Sequence, residues 1–396
     1  MATLPAVKQF SDRVNRIEIS ATMAVVAEAA KLKAAGADLV EFGAGEPHFS
    51  TPQHIKDAAI AAIQQNYTRY TAVAGIPELR SALVKRHAAD FGSDYKPEEA
   101  IASTGGKLAL FNAIQVLVDH GDEVILPVPY WVSFKDIIEY SGGKCVYAET
   151  DESEGFRLTA QMIERLITPR TRAIIINSPN NPSGAVLDPE DFTSILQMAH
   201  KRGIYVIADE CYAYLNYAGE NFSAGSVREV KEHLVIAGSL SKTYAMTGWR
   251  LGYLVAPREF VRPAEKIQQN FFLAANAFVQ QAGVVALTQA GPDVVRMREM
   301  YDVRRRYLVP ALRDAGLTID CEPCGAFYVF ADARAWGHDS LTLCRRLLEE
   351  AGVACAPGVD FGPGGEGFLR FSYATSLDRL HEGVARLKDW AASNAG

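Results

Sequence analysis

Cysteine, basic excess and long apolar runs are all scarce in this chain of 396 residues, and each scarcity excludes a class of protein. No uninterrupted apolar stretch approaches the ~18 residues of a membrane-spanning helix. The opening Met-Ala-Thr-Leu-Pro-Ala-Val-Lys-Gln-Phe lacks the apolar centre of a secretory signal. The cytoplasm is therefore the expected compartment, with no membrane partner. Six cysteines, at 145, 211, 321, 324, 344 and 355, are too few and too dispersed for a disulfide framework. Cys321-Glu-Pro-Cys324 spells CxxC, but no second pair or nearby histidine pair completes a zinc-ligand set, so we read it as structural. With 40 Lys and Arg against 47 Asp and Glu the net charge is −7, and no basic stripe invites nucleic acid. What is present is ordinary for a globular enzyme: 48% hydrophobic and 22% charged residues, enough for a sizeable core. The length suggests about two or three domains, or one large domain with an appendage.

Through the first two thirds of the chain, short apolar runs alternate with helical windows. The runs are Glu123–Leu126, Lys144–Tyr147, Ala173–Ile176, Ile204–Ala208, Leu234–Ala237 and Gly252–Val255. Ser133–Ser141, Ala160–Ile167 and Asp188–Arg202 show helical periodicity between them. Continuous rather than alternating apolar strands predict an α/β architecture, a mainly parallel sheet flanked by helices. Ser20 is placed to cap a helix that Gly36 ends, and Asp38–Phe42 reads as a short strand. The glycine pair in Gly43-Ala-Gly45-Glu-Pro47 is no dinucleotide fingerprint, because Pro47 stops the helix that should follow and His48 replaces the third glycine. After about residue 257 the texture changes. Long helical windows at Pro263–Ala290 and Val294–Gly316 precede strands at Ala326–Phe330 and Gly367–Tyr373, and predict a smaller α+β domain.

Sites in such sheets lie beyond the carboxyl ends of the strands. Those ends here carry Pro129-Tyr-Trp131, Asn177-Ser-Pro-Asn-Asn181, Asp209-Glu-Cys-Tyr212 and Ser239-Leu-Ser241-Lys242. Desolvation and neighbouring cations lower the pKa of a lysine at such a place, and its neutral amine can form a Schiff base with an aldehyde. Ser239, Ser241 and Arg250 offer two hydroxyls and a planar guanidinium for a phosphate. Thr104-Gly105-Gly106, leading into a helix, adds approachable backbone N–H groups. Lysine and phosphate pocket together point to pyridoxal 5'-phosphate. Asp209 closes a buried strand, where a carboxylate is costly unless it meets a cation such as a protonated pyridine nitrogen. Tyr212 and Asn181 could donate to the cofactor's phenolic oxygen, and Trp131 offers a flat face for its ring. Each feature alone has an ordinary reading: a solvated strand end at Asp209-Glu210, plain turns at Gly105-Gly106 and Asn180-Asn181-Pro182, core packing for Trp131 and for the loop tyrosines Tyr67 and Tyr70. Their coincidence on successive strand ends is what those readings leave unexplained.

Gly45-Glu-Pro, Tyr70 with Ala74-Gly-Ile-Pro-Glu-Leu-Arg80, Gly105-Gly-Lys107, Pro129-Tyr-Trp-Val-Ser133, Asn177–Gly184, Asp209–Tyr212, Ser241–Arg250 and Arg370–Thr375 carry a resemblance that runs nearly end to end. The sequence resembles the class I aminotransferases, PLP-dependent transferases of fold type I, and among them the bacterial aspartate and aspartate/prephenate enzymes. The resemblance implies a large domain at 50–285 and a small one from 1–49 with 286–396. It makes Lys242 the covalent lysine, sets Asp209 on the pyridine nitrogen, and sets Tyr212 and Asn181 on the phenolic oxygen. Gly105, Gly106, Lys107, Ser239, Ser241 and Arg250 surround the cofactor, with Trp131 stacked on its ring. Arg370 would clamp the substrate α-carboxylate, helped by Asn181, Trp131 and the backbone of Gly45. Tyr70 would reach the cofactor phosphate of a partner subunit, implying a homodimer with shared sites. Lys107 and Thr22 match the residues that read a distal carboxylate, so the implied amino acid and 2-oxo acid are aspartate and 2-oxoglutarate. Glu18 departs from the lysine of relatives that use prephenate; Cys211 and Ser183 are smaller departures. Aromatic amino acids or prephenate, or a C–S lyase reaction on the same fold, are the alternatives.

Overall fold

The structure, a computed structural model, describes residues 10–18 and 20–394. The N-terminal residues before Phe10, on which the expectation about export rests, lie outside the described residues. Among the described residues no helix is long and apolar enough to cross a membrane. The strands in chain order are β1 (Val40–Glu41), β2 (Ala100–Ser103), β3 (Glu123–Val128), β4 (Lys144–Glu149), β5 (Thr171–Asn177) and β6 (Tyr205–Asp209). There follow β7 (Leu234–Ser239), β8 (Gly252–Val255), β9 (Tyr328–Asp332), β10 (Val353–Ala354), β11 (Ala356–Pro357) and β12 (Phe368–Ser372).

The central sheet has seven strands in the order β2-β8-β7-β6-β5-β3-β4. It is mainly parallel, as expected; β8 alone runs against both its neighbours. The apolar runs fill both faces. Ile174, Ile175 and Ile176 of β5 are nearly inaccessible, and burying each contributes roughly 1.5–3 kcal/mol relative to exposure. Because the strands are parallel, the carboxyl ends of β3, β5, β6 and β7 fall along one edge. The register sets Asn177 beside Asp209, Asp209 beside Ala237, and Ser239 beside Gly252. That edge is where the polar strand ends of the sequence converge.

A second core joins the two ends of the chain. Val25 and Ala29 of the helix Ala21–Ala34, with Val40 and Phe42, pack against Leu308, Leu312, Phe327, Leu347, Phe371 and Leu387. Here β1 pairs with β10 in parallel, and β11, β12 and β9 form an antiparallel sheet. Ser20 caps the first of these helices, its Oγ accepting from Met23 N at 3.2 Å. The single helix expected over Pro263–Ala290 is two, Arg258–Phe271 and Ala277–Gln289. Leu273 takes a left-handed φ of 68°, and the Gln268 carbonyl accepts from both Phe272 N and Leu273 N, closing the first helix. The apolar Phe271-Phe-Leu-Ala-Ala275 stretch carries no glycine to announce the stop.

Candidate active site

Between the sheet edge and the second core lies an open cleft of about 810 Å³. Thr22, Gly45, Gly106, Lys107, Trp131, Asn181, Asp209, Tyr212, Ser239, Ser241, Lys242, Arg250 and Arg370, all singled out from the sequence, face it. Gly105 sits just behind, under the Arg250 guanidinium. Its φ is +87°, and a Cβ there would lie 2.3 Å from Arg250 Nη2. Gly106 opens the helix Gly106–Leu117, and an added Cβ would crowd Ser239 Cβ at 3.2 Å. Arg250 itself adopts φ +53° and donates to Thr247 O at 3.0 Å, which holds it over the glycine turn. Ser239 Oγ accepts from Ser241 N at 3.1 Å. Glycines, serines and guanidinium thus surround one small polar space. Tyr70 stands apart, 89% exposed and outside the cleft of its own chain.

Lys242 lies on the short helical turn Leu240–Thr243 that follows β7, half-buried, and its amine donates to Gly45 O. Burial lowers its pKa, Cys211 and Glu46 act in the opposite direction, and Arg370 and Arg250 lower it further. Asp209, at the end of β6, is 5% exposed. Its carboxylate accepts from Cys211 N at 3.1 Å, but among the described residues no side-chain cation forms an ion pair with it. Burial pushes its pKa up to about 6, with the hydrogen bonds to Cys211 and the charge of Lys242 opposing and Glu210 adding to it. A buried carboxylate without an ion pair is costly, and a further cation in the cleft would relieve it.

Arg370, on β12, is anchored by two bonds. Nη1 donates to Asn181 Oδ1 at 2.9 Å and Nη2 to Gly43 O at 3.0 Å, while its buried Nε has no partner among the described residues. The Gly45 carbonyl accepts from the Lys242 amine, and the Gly43 carbonyl is the backbone partner of Arg370. Asn181 is positioned by its own backbone N–H, which donates to Asn177 Oδ1 at 2.9 Å. Lys107 reaches over Trp131, its Nζ 5.0 Å from the ring centroid. Burial and then Arg250 lower its pKa, with Asp136 opposing. Thr22 contributes a buried Oγ1 without a partner among the described residues. Its backbone N–H, like that of Ala21, donates to the Asp360 carboxylate, at 2.6 and 3.0 Å. That acidic cap fixes the start of the helix Ala21–Ala34 at the cleft. Glu18 lines the outer wall, its side chain 81% exposed and 3.6 Å from Lys135 Nζ.

Two contributors were not legible in advance. Tyr328 of β9 shares a 2.8 Å hydrogen bond with the Tyr212 hydroxyl and lies under the Arg370 guanidinium, 4.5 Å from centroid to Cζ. Burial raises the pKa of both phenols, so both stay protonated. Asp360 is the other. Tyr328 sits in an apolar strand whose pairing with the strand of Arg370 was its only available signal.

A lysine with lowered proton affinity, a buried carboxylate without an ion pair among the described residues, and an arginine thus face one cleft beside a polar space lined by glycine, serine and guanidinium. Comparisons with known proteins agree on one class. The chain belongs to the aminotransferase class I and II family, whose model matches residues 37–387. It is 42% identical to the aspartate/prephenate aminotransferase of Thermus thermophilus over 95% of this chain and 97% of that one. It is 38% identical to the aspartate aminotransferase of Geobacillus stearothermophilus, covering 98% of this chain and 100% of the relative. A solved structure of the Thermus thermophilus aspartate aminotransferase with maleate superposes with a TM-score of 0.92 at 41% identity, covering 96% of this chain and 99% of that chain.

Proposed function

We propose that this aminotransferase moves the amino group of L-aspartate to 2-oxoglutarate, reversibly, with pyridoxal 5'-phosphate as cofactor. The observation that carries the reading is the buried Asp209, without an ion pair among the described residues, facing the same cleft as Lys242. The residues present fit the cofactor. Asp209 would hold its pyridine nitrogen, Tyr212 and Asn181 its phenolic oxygen, and Trp131 its ring. The glycine turn 105–106, Ser239, Ser241 and Arg250 would hold its phosphate, in a cradle that a Cβ at Gly105 would fill. When bound, the cofactor supplies an electron sink for charge developing at the substrate Cα.

Lys242 Nζ would anchor the cofactor covalently and would serve as the base toward the substrate Cα proton. A lowered pKa enlarges the neutral fraction available for both tasks. Arg370 orients the α-carboxylate through its two-pronged guanidinium, already aligned by Asn181 and Gly43. Lys107 and the unpartnered Thr22 hydroxyl would receive the distal carboxylate, which favours a dicarboxylic pair. The maleate in the related structure is such a dicarboxylate. Prephenate, in the name of the Thermus relative, is the less favoured substrate, because Glu18 at the cleft wall, paired with Lys135, offers a further carboxylate no positive charge.

The exposed Tyr70 is suited to serve a partner subunit's site, and we propose a cytoplasmic homodimer. We propose a division into 50–285 and 1–49 with 286–396: the cores on the two faces of the central sheet lie within the first, and most of the second core lies in the other, with Tyr212, Leu215 and Ala245 packed onto it. The test is an absorption spectrum of the protein loaded with pyridoxal phosphate, repeated after aspartate and then 2-oxoglutarate. The visible cofactor band should vanish with the first and return with the second. A band that ignores aspartate would overturn the substrate, and the lack of any band would overturn the cofactor.

A further inference from the structure

At the opposite end of the sheet from Lys242, three metal-ligating side chains converge that the transfer reaction does not use. His200 lies in the last turn of the helix Pro189–Lys201, and Glu232 and His233 close the turn Arg228–His233 that feeds β7. One ligand atom from each of the three lies within 4.8 Å of the others. The two imidazoles face one another through Nδ1, 3.0 Å apart, with ring centroids at 5.0 Å. Both are half-buried, and the Tyr205 ring packs on His233 at 5.2 Å. β7 separates this cluster from the catalytic edge by about 17 Å, at about 3.3 Å per residue.

We propose that His200, His233 and Glu232 form a binding site for a divalent transition metal of the zinc, nickel or copper class. Three observations support it. First, for metal–nitrogen bonds of about 2.05 Å, a 3.0 Å separation subtends about 94° at the metal. That lies at the octahedral angle, and a few tenths of an ångström of ring movement reach the tetrahedral one. Second, imidazole nitrogen with a single carboxylate is the donor set these metals prefer, whereas calcium and magnesium favour all-oxygen sites. Third, His200 stands at the carboxyl end of a 13-residue helix, whose dipole favours a cation there. Binding asks little of the protein: the hydrogen now shared between the two Nδ1 atoms moves to a ring Nε2, leaving both lone pairs for the metal. Glu229, bonded to Gln197 at 3.0 Å, is a further carboxylate on the same turn. A metal here ties the helix Pro189–Lys201 to the strand it covers, so its consequence is stability rather than turnover.

Calorimetric titration of Zn²⁺ into the full chain loaded with pyridoxal phosphate tests the site. One equivalent should bind and raise the melting temperature by mass action. His200→Gln and His233→Gln should each weaken binding at least about tenfold and abolish the thermal shift, and Glu232→Gln should weaken it less. Amine transfer in metal-free buffer should be unchanged in all three variants. No uptake by the parent protein overturns the proposal. So does uptake that persists in both histidine variants, because the free thiols would then be the ligands.

Discussion

Replacing Asp209 by asparagine should stabilise the cofactor-free protein while crippling the enzyme. The carboxylate is 5% exposed, and burial moves its pKa from an ordinary 3.8 to about 6. As pH rises, the unfolded chain releases this proton near 3.8 while the folded chain keeps it until about 6. The folded state therefore loses relative stability across that window, and the loss persists above it. At about 1.4 kcal/mol for each tenfold change in proton affinity, it amounts to about 3 kcal/mol. Asparagine carries no charge, and its Oδ1 can still accept the Cys211 N–H. Urea denaturation of cofactor-free protein, at one protein concentration, should show Asp209→Asn the more stable by up to about 3 kcal/mol at about pH 8. At about pH 4 the advantage should disappear. Adding pyridoxal phosphate should reverse the order, because the ring cation then rewards the carboxylate. An asparagine variant less stable than the parent at both pH values would refute the reasoning, since the carboxylate would then have found its partner within the protein.

Two further substitutions probe the anions that the cleft is proposed to hold. Lys107→Ala should lower kcat/KM for aspartate by about 10–100-fold, the worth of one charged hydrogen bond, and leave a monocarboxylic amino acid much less affected. Equal losses would remove Lys107 from distal-carboxylate recognition. Gly105→Ala places a methyl where φ is +87° and where Arg250 Nη2 lies 2.3 Å away. It should weaken pyridoxal phosphate binding about tenfold or more in equilibrium dialysis, at a stability cost of about 1–3 kcal/mol; unchanged affinity would place the phosphate elsewhere.

The sheet was legible because its signal is local. Ile174-Ile-Ile176 or Val206-Ile-Ala208 is apolar without alternation, which only a strand covered on both faces tolerates. The direction of β8 was not legible, because a run such as Gly252-Tyr-Leu-Val255 is equally apolar read either way. Only its surroundings show why it starts with glycine: a Cβ at Gly252 would lie 2.3 Å from Gly106 N. Tyr328 and Asp360 escaped for the same reason. Each acts on a segment more than a hundred residues away, across a contact that no periodicity encodes.

Polar residues at strand ends were the informative exception. An apolar strand that ends in Asp209 sets a buried charge where the local pattern calls for an apolar or solvated residue, and among the described residues no side chain forms an ion pair with it. Such a conflict persists in a folded chain when something outside the chain resolves it. The partners of Arg370 make the converse point. Its bonds to Asn181 and Gly43 join β12 to the loop after β5 and to the segment after β1, so one guanidinium reads the relative position of three distant stretches. The chemistry of the cleft could be inferred from residue types at strand ends. The alignment of its carboxylate-binding fork required the packing of the second core against the first.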